Sequence, residues 1–176
     1  LEDITGLAMY QRARRGISYL PQEASVFRKL SVEDNLMAIL QTLRISRHER
    51  QDRMNRLITQ LGLDQVRKNK GYMLSGGERR RVEIARSLVI EPSFLLLDEP
   101  SAGLSPALQD EVFIQCKKIN AEGIAILMVE QNAKQALATL LEAPKGIARI
   151  LTDPAPVTRP HRAAGDAATP RSRRAP

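Results

Sequence analysis

The chain has 176 residues, a formal net charge of +7 and a sequence pI near 10.0. Its hydrophobic content of 43% and its charged content of 27% are ordinary for a globular domain. No apolar run approaches the roughly 20 residues that a membrane-spanning helix needs. The single cysteine, Cys116, excludes an internal disulfide framework and a cysteine-rich zinc site, and it suits a reducing compartment.

The positive charge is concentrated near the carboxyl terminus. Residues 1–140 hold 20 Lys and Arg against 17 Asp and Glu, a net charge of +3, whereas residues 141–176 hold 7 against 3, a net charge of +4. The second segment also contains 6 of the 10 prolines. The basic pI therefore does not indicate nucleic-acid binding by the body of the chain, and the two segments are interpreted separately.

Short elements are predicted first along the chain. We expect a helix over 8–15 and a strand over 16–20, which Pro21 ends because proline has no amide hydrogen to donate to a sheet. Ser31 is expected to begin a helix that has its apolar residues on one side. These residues are Val32, Leu36, Ile39, Leu40 and Leu43.

Two later helices carry serine–glutamate capping pairs, in which the two side chains satisfy amide donors at the start of a helix. Ser46 and Glu49 predict one helix, and Ser75 and Glu78 predict another that runs to about residue 90. On the solvent-facing side of the first helix, acidic and basic residues four apart are expected to pair: Glu49 with Arg53 and Asp52 with Arg56. Residues 31–90 together form a predicted helical subdomain.

Strands and helices are predicted to alternate in the rest of the body. The apolar run over 94–97 predicts a strand covered on both faces, and residues 124–129 predict a second strand. A long helix begins between them at Ser105 and Pro106, and Asn132 can begin a last helix. This order is typical of an α/β domain with a parallel sheet.

The first functional clue is the pair Asp98 and Glu99, which ends the strand that begins at residue 94. Ligands bind at the carboxyl edge of parallel sheets. One carboxylate there can hold Mg²⁺, while the other orients or deprotonates a water molecule. The alternative is that both are solvated loop acids that cap the next helix.

The second clue is the run Ser75-Gly76-Gly77-Glu78, in which two glycines stand beside a serine cap. The glycines leave bare backbone amides at the start of a helix, where the helix dipole also favours an anion. The alternative is an ordinary capped helix after a flexible turn.

Taken together, four motifs in this order resemble those of ATP-binding-cassette (ABC) ATPases. They are the Q-loop (19–22), the signature motif (74–78), the Walker B strand (94–98) with its catalytic glutamate (Glu99), and the D-loop (101–105). The resemblance covers residues 1–140. It implies an α/β P-loop NTPase core, here partial, with parallel strands and a helical subdomain.

The resemblance also implies a role for each matching residue. Glu99 would polarise the attacking water, Asp98 would help to hold Mg²⁺, and Gln22 would contact Mg²⁺ or that water. Gln131 stands where many relatives carry a switch histidine; it can donate to a γ-phosphate but cannot become cationic, and it is a candidate catalytic residue. The signature residues would bind ATP held by the opposite subunit of a head-to-tail dimer: Ser75, Gly76, Gly77 and Glu78.

One departure from the family pattern is large. The sequence contains no G-x-x-x-x-G-K-[ST] phosphate loop and no Gly-Lys dipeptide. That loop supplies the amide cradle and the lysine for the β- and γ-phosphates of ATP, and in this family it precedes the Q-loop. We therefore expect this chain to start after the loop and, alone, to bind ATP poorly and to hydrolyse it hardly at all.

Different parts of the chain resemble different branches of the family. Residues 12–41 and 74–86 look like the ATPase of lipopolysaccharide export, whereas residues 101–132 look more like that of branched-chain amino-acid import. The implied function is the ATP-binding subunit of an ABC transporter, first for lipopolysaccharide export. Its implied partners are transmembrane subunits and a second ATPase subunit, on the cytoplasmic face of the membrane.

A non-transport ABC ATPase that acts on nucleic acid is the alternative class. It is disfavoured because residues 31–90 lack a long coiled coil and the body carries only +3. A fragment that docks on a partner without catalysis is a further alternative.

The family pattern stops near residue 140. Residues 141–176 are rich in Ala, Pro and Arg and, apart from 146–151, have no apolar periodicity, so this tail is expected to be disordered. We hypothesise that the tail arose through gene truncation or a shifted reading frame.

Overall fold

A parallel sheet of four strands forms the centre of the computed structural model, which describes residues 3–132, 136 and 148–151. The strands are Ile17–Leu20 (β1), Phe94–Asp98 (β2), Ala125–Val129 (β3) and Ala148–Leu151 (β4). They lie side by side in chain order, and Leu20 pairs with Leu97 while Asp98 pairs with Val129. The predicted α/β class with parallel strands is therefore confirmed.

One helix precedes β1, and the other described helices lie in the connections from β1 to β2 and from β2 to β3. They are Met9–Ala13 (α1), Val32–Leu40 (α2), Arg47–Gln60 (α3), Gly76–Leu88 (α4) and Pro106–Ala121 (α5), with short 3₁₀ turns at Asp64–Val66 and Gly71–Met73. Between β1 and β2, α2 packs against α3 and α4, and α4 also packs against β1 and α5. The helix α4 therefore joins the helical segment to the sheet, although the subdomain limits at 31 and 90 stay a prediction.

The core lies between the sheet and these helices. On β2, Leu95 and Leu97 are buried, whereas Phe94 and Leu96 are only half-buried. The expectation that both faces of this strand are covered is thus met on one face among the described residues. Phe113 of α5 is fully buried in the same core.

Three predicted features of α3 differ in the structure. Arg53 was expected on the solvent-facing side, but it is buried and donates to the carbonyl of Val89 at 3.0 Å. Arg53 does form the predicted pair with Glu49, at 2.8 Å, but Arg56 pairs with Glu91 rather than with Asp52. Because the carboxylate of Glu49 pairs with Arg53, it does not accept a hydrogen bond from the backbone amide of Ser46. Only the serine half of the predicted capping box therefore forms.

The serine caps give a testable difference between two helices. Ser46 accepts a hydrogen bond from the amide of Glu49 at 3.1 Å, whereas Ser105 makes no side-chain cap bond to α5. We expect Ser46→Ala to lower the free energy of unfolding by about 1 kcal/mol, because it leaves a helix-end donor unsatisfied. Ser105→Ala is the matched control and should change it little. Urea unfolding measures both, and equal losses would contradict the assignment.

The fourth strand lies beyond the predicted boundary at residue 140, which stays a prediction. Ala148–Leu151 pairs in parallel with β3, where Ile126 meets Ala148 and Val129 meets Leu151. It lies within 146–151, the one apolar stretch of the predicted tail, and β3 supplies the backbone partners that such a short run needs. Residues 141–147 and 152–176 lie outside the described residues, as does most of the helix predicted from Asn132, so the predictions for them stay predictions.

Within the part of the chain that the structure describes, no helix is both long enough and apolar enough to cross a bilayer.

Candidate functional site

Three of the predicted site residues meet at the carboxyl edge of the sheet. The side-chain amide of Gln22 donates to Oε2 of Glu99 at 2.7 Å, and that of Gln131 donates to Oε1 of Glu99 at 2.8 Å. These residues follow β1, β2 and β3, whose carboxyl ends adjoin because the strands are parallel and consecutive. Each oxygen of the Glu99 carboxylate therefore accepts one amide hydrogen, which fixes its orientation.

The backbone of Glu99 is unusual for a residue with a side chain. Its φ is +40°, in the left-handed region, and its amide donates to the carbonyl of Val129 at 2.9 Å. Among the described non-glycine residues, only Glu91 shares a positive φ, of +49°. Such strain persists where the surrounding contacts over-determine the conformation, and it is frequent at functional sites.

Asp98, the last residue of β2, lies beside the same edge. Its Oδ2 accepts a hydrogen bond from the hydroxyl of Tyr19 at 2.9 Å. This hydrogen bond, together with burial and the nearby charge, raises the pKa of Tyr19 above its ordinary value of 10.0. Tyr19 was not among the predicted site residues, although it lies in the Q-loop (19–22), on the strand that pairs with β2.

The oxygen donors at this edge suit a hard cation that arrives with phosphate. Among the described residues, no three or more His, Cys, Asp or Glu side chains cluster so as to hold a metal ion. Mg²⁺, however, commonly takes one or two protein carboxylates and completes its shell with water and substrate phosphates. The carboxylate of Asp98 and the amide oxygen of Gln22 fit that requirement.

The signature residues lie on a different surface, at the start of α4. The Ser75 hydroxyl accepts from the amide of Glu78 at 3.3 Å, and the Ser75 amide donates to Oε2 of Glu78 at 2.8 Å. The predicted capping box at this helix is therefore confirmed in full. Gly77 packs against Leu108 so closely that an added Cβ would lie 2.7 Å from its Cδ2.

The Glu78 cap leads to a pH-dependent prediction. Hydrogen bonds from Ser75 lower the pKa of Glu78 below its ordinary value of 4.5. A carboxyl whose pKa is lower in the folded state stabilises the fold above its unfolded pKa, and this contribution is lost as the pH falls through the folded pKa. At pH 7 we expect Glu78→Gln to lower the free energy of unfolding by about 0.5–1 kcal/mol. The effect is small because the carboxylate is partly exposed to solvent.

The measurement is urea unfolding of parent and variant at pH 7 and at a pH well below 4.5, the ordinary value for this carboxyl. The difference in unfolding free energy between parent and variant should shrink at the acidic pH, because the Glu78 carboxyl of the parent is then protonated and uncharged, like the amide of the variant. Glu111→Gln, which removes an exposed acid from α5, is the control. If Glu78→Gln lowers the free energy of unfolding equally at both pH values, the charged carboxylate does not stabilise the start of the helix and the prediction is wrong.

A groove of about 180 Å³ lies between the two surfaces. Its lining includes Gln22, Gly76 and Gly103, from the Q-loop, the signature turn and the D-loop respectively. The capping-box hydrogen bonds join Ser75 and Glu78 to each other. Hydrogen bonds thus join Gln22, Glu99 and Gln131, whereas the signature turn faces Gln22 across this groove.

Three buried charged residues behind the site were not predicted. Arg80 and Glu83 form an ion pair on α4 at 3.0 Å, with side chains 6% and 3% exposed. Glu130 is buried after β3 and accepts from the amides of Ser101 at 3.3 Å and Asn132 at 3.2 Å. Opposite charges three residues apart, next to the inward positions of a predicted helix, were a signal for the first pair.

Cys116 has no part in this chemistry. It is buried in α5, and desolvation raises the pKa of its thiol to about 12. This environment suits a packing role rather than a nucleophilic one, because the reactive form of cysteine is the thiolate.

Parallel strands joined by helices, with carboxylates at the carboxyl edge, are the architecture of ATP-binding cassettes. A solved example is MJ1267, an ATP-binding cassette of an ABC transporter in its ADP conformation, with a TM-score of 0.63 and 25% identity. The match covers 73% of this chain and 56% of that one.

The family follows from the sequence comparison. The family model described as "ABC transporter" matches residues 2–102, more than half of the chain. The chain therefore belongs to the ABC transporter family.

Among curated proteins, the lipopolysaccharide export system ATP-binding protein LptB of Acidithiobacillus ferridurans is 50% identical over 135 residues, which are 77% of this chain and 56% of that protein. LptB of Escherichia coli K12 is 47% identical over 138 residues, which are 78% of this chain and 57% of that protein. The chain thus spans little more than half the length of these relatives.

Proposed function

We propose that this chain is part of the ATP-binding subunit of an ABC transporter that couples ATP hydrolysis to lipopolysaccharide export. The main support is the Glu99 carboxylate, which Gln22 and Gln131 hold at the carboxyl edge of the sheet. The 50% identity to an export-system ATP-binding protein supports the transported substrate. That identity is high enough to favour export over the amino-acid import suggested by residues 101–132.

The proposed chemistry depends on how Glu99 is held. Each of its oxygens accepts one amide hydrogen and keeps a further lone pair with which to accept a hydrogen from water. Glu99 can thus orient and polarise the attacking water. Because Gln131 cannot titrate, it contributes orientation without adding a pH dependence.

Asp98 and Gln22 would hold Mg²⁺ through their side-chain oxygens. The cation, when bound, would neutralise charge on the transferred phosphate. The amide cradle and lysine for the β- and γ-phosphates are not found in these 176 residues, since no Gly-Lys dipeptide occurs. We therefore propose that this chain alone binds ATP weakly and turns it over poorly.

The proposed partners are transmembrane subunits and a second ATPase subunit. Apolar side chains are exposed beside the Q-loop and before the signature turn: Phe27, Tyr72 and Met73 are 48%, 54% and 59% exposed. These two segments adjoin, because the amide of Tyr72 donates to the carbonyl of Arg28 at 3.0 Å. Such a patch suits docking on a membrane subunit at the cytoplasmic face, and the exposed turn at Ser75 suits a facing subunit.

The deciding experiment compares two proteins: this chain, and the same chain joined to a segment that carries a G-x-x-x-x-G-K-[ST] loop. We expect ATP binding and turnover only in the loop-restored chain. Turnover by the unmodified chain would refute the proposed incompleteness, and none by either would refute the ATPase proposal. Co-purification with the membrane subunits of lipopolysaccharide export, rather than with those of amino-acid import, tests the substrate.

A further inference from the structure

Arg80 is a buried cation one turn into α4, and its surroundings explain why it is tolerated there. Its side chain is only 6% exposed. A buried guanidinium is strongly destabilising unless its donors are paired with acceptors. The acceptors that satisfy Arg80 are therefore held in place by it.

The acceptors of Arg80 lie in two loops of the candidate site, namely the Q-loop and the turn that follows β2. Its Nε donates to the carbonyl of Pro100 at 2.8 Å, and its Nη1 donates to the carbonyl of Pro21 at 3.1 Å. Its Nη2 lies 3.4 Å from the carbonyl of Glu99, and Nη1 also donates to Glu83 at 3.0 Å. One side chain thus ties the signature helix to the backbone of the Q-loop and of the Glu99 turn.

Glu83 binds the backbone just after the Q-loop. Its Oε1 accepts from the amide of Ser25 at 2.8 Å, while its Oε2 accepts from Arg80. The ion pair therefore forms hydrogen bonds to the backbone at Pro21 and at Ser25, on either side of Gln22. Because Gln22 donates to Glu99, a shift of this loop would change the orientation of the carboxylate.

We propose that Arg80, buttressed by Glu83, is a positioning residue that sets Gln22 and Glu99 in a fixed relation to the signature turn at 75–78. The inference rests on the proposed ATPase function. A displacement of α4 caused by ATP at the signature turn is transmitted through the guanidinium to both loops. Arginine suits this task because its planar fork fixes five donors toward separate acceptors, whereas an ammonium group has three donors on a flexible stem.

The kinetic test uses the loop-restored chain with Arg80→Gln and Arg80→Lys. Misplacement of reacting groups by about 1 Å can reduce rates on the order of 100-fold, so we expect kcat to fall by about 10- to 100-fold. KM for ATP should change little, because Arg80 itself contacts no proposed phosphate site. Arg80→Lys, which keeps the charge but lacks the fork, should fall between the parent and Arg80→Gln.

Arg53→Gln is the matched control. Arg53 is also a buried arginine with a backbone acceptor, the carbonyl of Val89, and it lies on α3 away from the site. We expect this variant to be destabilised yet to keep the kcat of the parent in its folded fraction. If Arg80 variants keep that kcat as well, the positioning role is overturned.

A second measurement separates this proposal from the proposed function. Amide hydrogen exchange of the 176-residue chain reports the loops directly, at the amides of Ser25 and Glu99. Arg80→Gln should accelerate exchange there more than Arg53→Gln does, and equal exchange would overturn the proposal. If the loop-restored parent has no turnover, the ATPase function fails and exchange alone decides. Arg80→Lys replaces Arg80→Gln in both measurements if the latter does not fold.

Discussion

Glu99→Gln is expected to lower ATP turnover by about 100-fold or more in the loop-restored chain while leaving ATP binding intact. The substitution keeps the size of the side chain but removes the charged acceptor. It also replaces one carboxylate oxygen with an amide donor, which then faces the amide of Gln22 or of Gln131. One of these two amides must turn to present its oxygen instead, so the orientation of the side chain changes and its basicity is lost.

Glu91→Gln is the control for this variant, because the structure offers the same residue in the same backbone conformation. Glu91 has a φ of +49° against +40° for Glu99, but it pairs with Arg53 and Arg56 outside the site. Steady-state turnover and nucleotide binding are measured for both variants. A comparable loss of kcat at Glu91 would contradict a specific role for Glu99 and point instead to the strained backbone.

The position of the candidate site could be predicted because it depends on strand order. Parallel strands that are consecutive in the sheet bring their carboxyl ends to one edge, so residues that follow β1, β2 and β3 must lie near one another. Gln22, Glu99 and Gln131 each follow one of these strands. The hydrogen bonds from the two amides to Glu99 could not be predicted, because they depend on side-chain rotamers and on the left-handed backbone of Glu99.

The buried charges show where helix periodicity fails. Periodicity predicts which positions face inward but takes a charged side chain as evidence of a solvent-facing position. Arg53 and Arg80 contradict this expectation because each finds backbone carbonyls far along the chain, at Val89 and at Pro100. Those acceptors exist only after the loops have been assembled, so no local pattern reveals them.

The fourth strand was underestimated for a related reason. Ala148–Leu151 is short, and its sequence alone contains too little apolar surface to predict a core element. It is ordered by pairing with β3, which provides hydrogen-bond partners along its length. Of the +7 net charge, the +4 assigned to residues 141–176 therefore belongs in part to a segment that adds to the sheet.

Gly71→Ala is expected to lower the free energy of unfolding by about 1–3 kcal/mol through overpacking. The added Cβ would lie 2.6 Å from Cγ1 of Val26 and 3.1 Å from the backbone of Phe27 and Arg28. The backbone cannot retreat easily, because the amide of Gly71 donates to the carbonyl of Leu30 at 2.9 Å. The steric clash would lie between two segments: residues 26–30, after the Q-loop, and residues 70–73, before the signature turn.

Gly6→Ala isolates the steric cause of this loss. Both glycines have a backbone conformation open to alanine, but a Cβ at Gly6 meets no atom within 4 Å, so its effect should stay within about 0.5 kcal/mol. Urea unfolding followed by circular dichroism compares the two variants. If they are equally stable, then the segments at 26–30 and 70–73 can separate without penalty, and their contact cannot fix the signature turn relative to the Q-loop. A selective loss at Gly71 means that the close packing of these two segments contributes to the stability of the fold.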